Sequence, residues 1–125
     1  MTFSIIARCH KTGQFGGAIS SSSPAVAARC IQAKAGVGVA TSQNITDPYL
    51  ANILLDMTKY DLAPEESITE LVKNTEFIEY RQLTVINSDE KPAAFSGKNT
   101  LGVHSQCVGE HAVGAGNLLA NEDVP

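Results

Sequence analysis

The sequence predicts an α+β protein built mainly from antiparallel sheet, and three observations lead to that fold class. Short apolar runs typical of strands come first, two helical segments follow in the middle, and further strand patterns come after them. Runs of strands that flank a helical pair favour α+β over the alternating order of a parallel sheet. With 125 residues, of which 43% are hydrophobic, the chain is expected to form one domain over residues 1–125.

The first third of the chain is predicted to consist of strands joined by turns. Thr2 to Arg8 has apolar residues on both faces, which predicts a strand covered on both sides, and Phe15 to Ser20 is predicted to return as its hairpin partner. Ala25 to Ile31 is compatible with helix or strand and favours strand slightly. Ala35 to Thr41 alternates branched residues with glycine and alanine, so its bare face predicts that a helix, a sheet or a ligand packs closely there.

Two consecutive helices are predicted in the middle of the chain. Asp47 is placed as an N-cap and Pro48 as the first helical residue. Apolar residues then recur at helical spacing as far as about Tyr60. A second helix is predicted from near Pro64, where two glutamates follow and favour the positive end of the helix dipole.

The last third is predicted to return to strands. Arg81 to Ile86 and Lys91 to Ser96 are expected to form a hairpin around the turn at 87–90. A last strand is predicted over His111 to Ala115, and Asn117 to Ala120 is expected to begin a helix. Because that segment has barely begun when the sequence stops, we expect this chain to be part of a larger domain.

Composition restricts the classes of partner. The net charge of −4 gives no basic footprint for nucleic acid or an anionic membrane, and no apolar stretch approaches the ~20 residues of a membrane span. The three cysteines show no CxxC pairing and are expected to be small buried hydrophobes in a reducing compartment. The N-terminus lacks the pattern of a signal peptide, which makes the cytoplasm the expected location.

Of all residues in the sequence, Thr2 has the position best suited to a catalytic role. A small residue after the initiator favours removal of Met1, and an N-terminal threonine supplies a nucleophilic hydroxyl and a basic amine on one residue. A nearby cation would lower the pKa of that amine, and Lys34 is a candidate for that cation. The alternative is that Thr2 has no catalytic role, as in most proteins that have threonine as their second residue.

Two further groups of polar residues are candidates for a binding site. Asn117 follows a glycine and is either an oxyanion donor or a turn and cap residue. Ser42, Gln43, Asn44 and Asp47 crowd a predicted strand-to-helix junction. They either line a cleft where the helix N-terminus favours an anion, or serve in capping and turn hydrogen bonds.

A metal site is weighed and not predicted. His104, Cys107 and His111 are soft ligands close in sequence, and Cys9-His10 could complete a zinc site with them. Their spacings match no strong zinc signature. The sequence therefore predicts neither a metal nor another cofactor.

Segments spread over the whole chain resemble one known family in the same order. They are Thr2–Arg8, Thr12-Gly13, Ala18–Ser21, Pro24–Val26, Ala35–Gly38, Ser42–Pro48, Arg81–Leu83, Ala94–Gly97 and Gly116–Leu119. The family is domain of unknown function 1028, which is grouped with the N-terminal nucleophile (Ntn) hydrolases.

The resemblance implies a four-layer αββα sandwich in which two antiparallel sheets face each other and helices lie outside. It implies that Thr2 holds the position of the Ntn nucleophile, with Lys34 at a separation similar to that in proteasome subunits. The acidic partner common in proteasomes is absent, since Ala18 and Ser20 stand in its neighbourhood. Family members continue beyond Gly116-Asn117, so the resemblance implies that this chain lacks the C-terminal portion.

Two functions follow as hypotheses. The first is an Ntn-type hydrolase that cleaves a small amide or peptide-like substrate with Thr2, Lys34 and Asn117, while residues 42–44 help to form the cleft. The alternative is a non-catalytic protein on the same fold that binds a small anionic ligand near Asn44 and Asp47. In either case a homo-oligomer, or a second chain that completes the sandwich, is expected to cover apolar sheet.

Overall fold

The computed structural model describes residues 1–89 and 91–125, which contain eight strands and three α-helices. In chain order the elements are β1 Thr2–Arg8, β2 Phe15–Ser21, α1 Val26–Cys30, β3 Ile31–Lys34, β4 Gly38–Asn44, α2 Pro48–Lys59, α3 Pro64–Asn74, a 3₁₀ turn at Ile78–Tyr80, β5 Arg81–Asn87, β6 Ala93–Ser96, β7 Ser105–Val108 and β8 Ala112–Asn117. Within the described ranges, no helix has both the length and the apolar character that crossing a membrane would demand.

The strands form two antiparallel sheets, which confirms the predicted α+β class. The first sheet has the order β2-β1-β8-β7 and the second has the order β3-β4-β5-β6. The sheets lie face to face, and α2 and α3 pack on the outer face of the second sheet. On the outer face of the first sheet, Leu119 lies against Gly116 and Pro125 lies against Gly114. The described residues therefore supply three layers (helix, sheet and sheet) where the resemblance implied four.

The start of α2 and its packing on the second sheet agree with the helical signals in the sequence. The Asp47 carboxylate accepts a hydrogen bond of 3.1 Å from the Tyr49 backbone N–H, and Pro48 occupies the first turn. Leu50, Leu54 and other residues at helical spacing are buried against apolar side chains of β4 and β5. Each such leucine contributes about 1.5–3 kcal/mol by leaving water. The cap, the proline and the apolar stripe of α2 are thus confirmed.

The layer between the two sheets is apolar at one end. Ile6, Val39, Ile86 and Val113 are almost completely buried there and form one cluster. On the opposite face of β4, toward the helix layer, a Cβ at Gly38 would lie 2.2 Å from the Ile86 carbonyl oxygen of the paired strand β5. The backbone of β5 therefore leaves no room for a side chain at position 38, and the packing of a helix, a sheet or a ligand on this part of the bare face stays a prediction.

Two predicted strands differ from the structure in the first half of the chain. Residues 26–30 of the Ala25 to Ile31 segment form helix α1, because an alanine-rich run has helical propensity and Pro24 has just ended β2. The predicted strand Ala35 to Thr41 begins instead at Gly38. A hairpin turn centred on Gly36, whose φ is +71°, separates β3 from β4.

The C-terminal third also departs from the prediction. Asn117 ends β8 rather than beginning a helix, and Leu118, with a φ of +51°, turns the chain away. Strand β7 was not predicted, because it has only four residues between glycine-rich segments. The hairpin partner begins at Ala93, later than expected, and Glu90 of the predicted turn lies outside the described residues.

The expectation that all three cysteines are buried is wrong for two of them. Cys30 is buried, whereas Cys9 and Cys107 are exposed. Cys9 lies just past the end of β1, and Cys107 lies on the outer face of the first sheet, opposite Gly114. Apolar character in the sequence does not distinguish an interior strand face from an uncovered one.

Candidate functional site

Thr2 begins β1 and lies between two neighbouring strands of the first sheet. Its cross-strand partners are Ser21 of β2 and Asn117 of β8. It has the same parity as Ser4 and Ile6, so its side chain is on the face that looks toward the second sheet. The side chain is half-buried, and its hydroxyl lies 2.8 Å from the Ser21 hydroxyl. The structure thus holds a threonine hydroxyl in one defined position at the end of the sandwich.

Besides its peptide bond to Thr2, Met1 forms hydrogen bonds with Ser22. Its ammonium group donates a 3.3 Å hydrogen bond to the Ser22 hydroxyl, and its carbonyl accepts one of 3.2 Å from the Ser22 backbone N–H. The Met1 side chain is exposed. Removing Met1 would therefore leave β1 paired as it is and would place the free amine on Thr2.

Lys34 is not brought to Thr2. In β3, Lys34 has the parity that faces the helix layer, and its ammonium group forms an ion pair with Asp56 of α2. It lies beside Phe15, which pairs with Arg8 at the opposite end of β1 from Thr2. Seven extended residues separate the two ends by roughly 20 Å. The predicted cation is thus on the other face of its strand, engaged with a carboxylate.

Asn117 is brought to Thr2 as a strand neighbour, and its side chain belongs to a buried hydrogen-bonded cluster. We call Ser4, Gln43, Gln82, Ser96 and Asn117 the amide network. The Ser4 hydroxyl donates to Gln43 Oε1 at 2.7 Å, and Gln82 Oε1 accepts from Gln43 Nε2 at 3.2 Å and from Asn117 Nδ2 at 2.9 Å. One N–H donor of the Asn117 amide is therefore bound to Gln82 and is not free to stabilise an oxyanion.

The amide nitrogens of both glutamines in the network also donate to other groups. Gln43 Nε2 donates to the Ala115 carbonyl oxygen at 3.1 Å. Gln82 Nε2 donates to the Gly116 carbonyl oxygen at 2.9 Å and to the Ser96 hydroxyl at 3.0 Å. Since buried amides are costly to leave unpaired, this arrangement fixes the orientation of both glutamines and joins the two sheets.

The polar residues of the β4–α2 junction do not converge on one cleft. Ser42 faces the helix layer and is buried, and its hydroxyl has no hydrogen-bond partner in the described part of the chain. Gln43 faces the first sheet within the amide network. Asn44 Oδ1 accepts from the Leu101 backbone N–H at 3.4 Å, and Asp47 caps α2. Strand alternation separates these side chains, and the capping interpretation is the one that the structure confirms for Asp47.

The histidine and cysteine candidates are also dispersed. The imidazole rings of His10 and His111 stack with centroids 5.8 Å apart, and His104 Nδ1 lies 3.1 Å from the Gly102 carbonyl oxygen. Over residues 1–89 and 91–125, no three His, Cys, Asp or Glu side chains come together in a way that would hold a metal ion. Near this pair, hydrogen bonds from the side chain and backbone of Thr12 lower the pKa of the exposed Cys9 thiol.

Two residues of the site were missed by the sequence reasoning. Ser21 touches the Thr2 hydroxyl, and Gln82 holds the Asn117 side chain. The serine run at 20–23 was a signal for the first, because the β1–β2 hairpin register places one of its members opposite Thr2. Gln82 had no local signal, since its partners lie more than a dozen residues away.

A groove crosses the outer face of the first sheet, on the side opposite the amide network. Its volume is about 510 Å³, and Thr2 is not among its lining residues. Phe3 and Ile5 of β1, Cys107 and Val124 line it and are exposed, and the half-buried Pro125 lines it as well. This is the apolar sheet surface that the sequence predicted to need cover.

Comparisons with known proteins find similarity to a family of unknown function. A family model described as "Family of unknown function (DUF1028)" matches residues 2–125. The structure is similar to the crystal structure of protein SPO2555 from Silicibacter pomeroyi, whose description also names DUF1028, with a TM-score of 0.92 and 24% sequence identity. The match covers 96% of this chain and 56% of that one, so this chain spans little more than half the length of its neighbour. No curated protein matches the sequence.

Proposed function

The chain belongs to the DUF1028 family, and we propose that it hydrolyses a small amide or peptide-like substrate with Thr2 as an N-terminal nucleophile. The proposal includes the finer fold assignment to the αββα sandwich of the Ntn hydrolases. Two facing antiparallel sheets with helices outside one of them support that assignment.

The observation that carries the proposal is the position of the Thr2 hydroxyl. It belongs to the first residue of a strand, is half-buried toward the second sheet, and lies 2.8 Å from the Ser21 hydroxyl. One cleavage, at an exposed residue, would add a free amine to the same residue. Nucleophile and base would then need no partner from elsewhere in the chain.

The chemistry would proceed in two steps. The neutral amine of Thr2 takes the proton of its own hydroxyl as Oγ1 attacks the substrate carbonyl carbon, and the proton passes to the departing amine as the C–N bond breaks. Water then cleaves the resulting ester and restores Thr2. Ser21 would orient the hydroxyl, and Gln82 would keep the Asn117 side chain from occupying the space beside it.

The test compares four preparations of this chain on amide substrates that release a coloured amine. They are the protein without Met1, verified by intact mass, the protein that retains Met1, and Met1-free Thr2→Ala and Thr2→Ser variants. We expect turnover in the Met1-free protein, partial turnover in Thr2→Ser, and a loss of about a thousandfold or more in the other two. Full activity in Thr2→Ala or with Met1 attached would overturn the proposal, provided that circular dichroism shows the same fold.

A non-catalytic protein that binds a small ligand on the same fold is the second candidate. The engagement of Lys34 with Asp56 favours it, because the cation expected to assist the Thr2 amine is used elsewhere. The same four preparations separate the candidates, since a binding protein releases no amine in any of them.

A further inference from the structure

Four exposed apolar side chains stand together at one end of the sandwich, and we call them the apolar rim. They are Ile45, Tyr80, Leu101 and Leu118, with exposed fractions of 48%, 42%, 44% and 48%. The Ile45 backbone N–H donates to the Tyr80 carbonyl oxygen at 3.4 Å, and the Leu118 backbone N–H donates to that of Leu101 at 2.9 Å. Asn44 joins the two pairs, because its amide donates to the Tyr80 carbonyl oxygen and accepts from the Leu101 N–H.

The first sheet places part of the apolar rim beside Thr2. Thr2 lies directly opposite Asn117, and Leu118 is the next residue of the chain. Leu118 is therefore one residue beyond the strand partner of the proposed nucleophile. Its side chain packs against Gly102, which lies in the loop that precedes β7.

The second sheet brings the other part of the rim to the same end. The apolar cluster contains Ile6 with Val39, and the amide network joins Ser4 to Gln43. Along β4, increasing residue number therefore leads toward the Thr2 end of β1. Ile45, two residues after Gln43, continues in that direction past the end of the sheet.

The backbone at this end holds two residues in an unusual conformation. Asn44 has a φ of +79° and Leu118 a φ of +51°, in the left-handed region that leucine rarely adopts. A strained residue persists only where its surroundings hold it, and such residues gather at functional sites. The positive φ of Leu118 turns the chain at the end of β8, and its side chain is exposed there.

One charged group at this end of the sandwich contacts the rim through the backbone. The Arg81 guanidinium donates to the Ile45 carbonyl oxygen, and the side chain is half-buried. The apolar rim thus offers hydrophobic contacts at the end of the sandwich where Thr2 lies. On this basis, and resting on the proposed function of Thr2, we infer that the substrate carries a large apolar side chain or acyl group, which packs on the apolar rim while its amide reaches Thr2.

The test measures selectivity with the Met1-free protein. N-acetyl-leucine p-nitroanilide and N-acetyl-alanine p-nitroanilide differ only in the apolar side chain, and we expect kcat/KM to favour the leucine compound at least tenfold. Leu118→Asn keeps a residue that tolerates a positive φ but removes the apolar surface, and we expect it to lower this ratio about fivefold or more. Tyr60→Ser, which removes a still more exposed side chain just past the C-terminal end of α2, is the control and should leave the ratio unchanged.

A binding measurement separates failure of the inference from failure of the proposed function. In Thr2→Ala, the dissociation constants of N-acetyl-leucinamide and N-acetyl-alaninamide are compared by NMR titration, with and without Leu118→Asn. If neither anilide is hydrolysed, the proposed function fails, and the inference stands only if leucinamide binds at least tenfold more tightly and loses that preference in Leu118→Asn. Hydrolysis without preference for leucine, or equal binding of the two amides, would overturn the inference.

Discussion

Replacing Gln82 with leucine removes the central amide of the network and preserves most of the side-chain volume. Gln82 is fully buried between the sheets and takes part in four hydrogen bonds, with Gln43, Ser96, Asn117 and the Gly116 carbonyl oxygen. The substitution therefore tests how strongly the two sheets depend on polar contacts at this end.

The expected loss follows from the partners left behind. Gln43 Nε2 keeps the Ala115 carbonyl oxygen, and the Ser96 hydroxyl keeps its 2.8 Å bond to Gln106. The Asn117 amide and the Gly116 carbonyl oxygen each lose a buried partner, at about 1–3 kcal/mol apiece. Burial of the leucine side chain recovers about 1.5 kcal/mol or more of that loss. We expect Gln82→Leu to lower the free energy of unfolding by about 0.5–4.5 kcal/mol.

The measurement is urea denaturation followed by circular dichroism. Gln14→Leu is the matched control, because Gln14 is exposed and interacts only locally with Thr12; its change should stay within about 0.5 kcal/mol. A free energy of unfolding no lower than that of the unsubstituted protein would refute the reasoning, since it would mean that Asn117 and Gly116 find other partners at no cost.

Two further predictions concern residues outside the network. Gly38→Ala should lower the free energy of unfolding by about 2 kcal/mol or more, because a Cβ would lie 2.2 Å from a backbone oxygen. A Cβ at Gly16 would meet nothing within 4 Å, so Gly16→Ala should change the free energy of unfolding little. Similar losses for the two variants in thermal denaturation would contradict this prediction. The pKa of Cys9 is lowered by its hydrogen bonds to Thr12, so alkylation by iodoacetamide, which requires the thiolate, should reach its plateau at a pH below that of an ordinary thiol. Thr12→Val should raise the midpoint of that pH profile, as followed by mass spectrometry of the Cys9 peptide, and an unchanged midpoint would exclude the Thr12 side chain as the cause.

Elements with local chemical signals were predictable, and those decided by distant contacts were not. Asp47 and Pro48 identify the start of α2 because a cap and a first-turn proline act within three residues of each other. Helix α1 is only five residues long, too short for a periodic apolar pattern, and its conformation depends on how the chain passes from one sheet to the other. Strand β7 exists because β8 is available to pair with it.

The candidate site divides in the same way. Thr2 and Asn117 were recognised from their own positions in the chain, and the sheet register does place them opposite each other. Ser21 and Gln82 act through contacts that span 19 and 35 residues, which no local pattern reveals. Lys34 was predicted to lie near Thr2 and does not, because the separation of the two residues along the sequence does not determine which face of β3 Lys34 occupies. The turn at Gly36 sets that face, and it directs the ammonium group to Asp56.

The inward placement of Thr2 depends on residues that never touch it. At the other end of the sandwich the sheets meet through aliphatic side chains, which tolerate exchange of one hydrophobic residue for another. At the Thr2 end they meet through amides whose donors and acceptors match in one register only. A slip of β1 by one residue would turn Ser4 away from Gln43 and leave a buried amide oxygen unpaired, and the same slip would turn Thr2 outward. The energetic penalty that keeps the network intact is therefore also what keeps the Thr2 hydroxyl facing the second sheet.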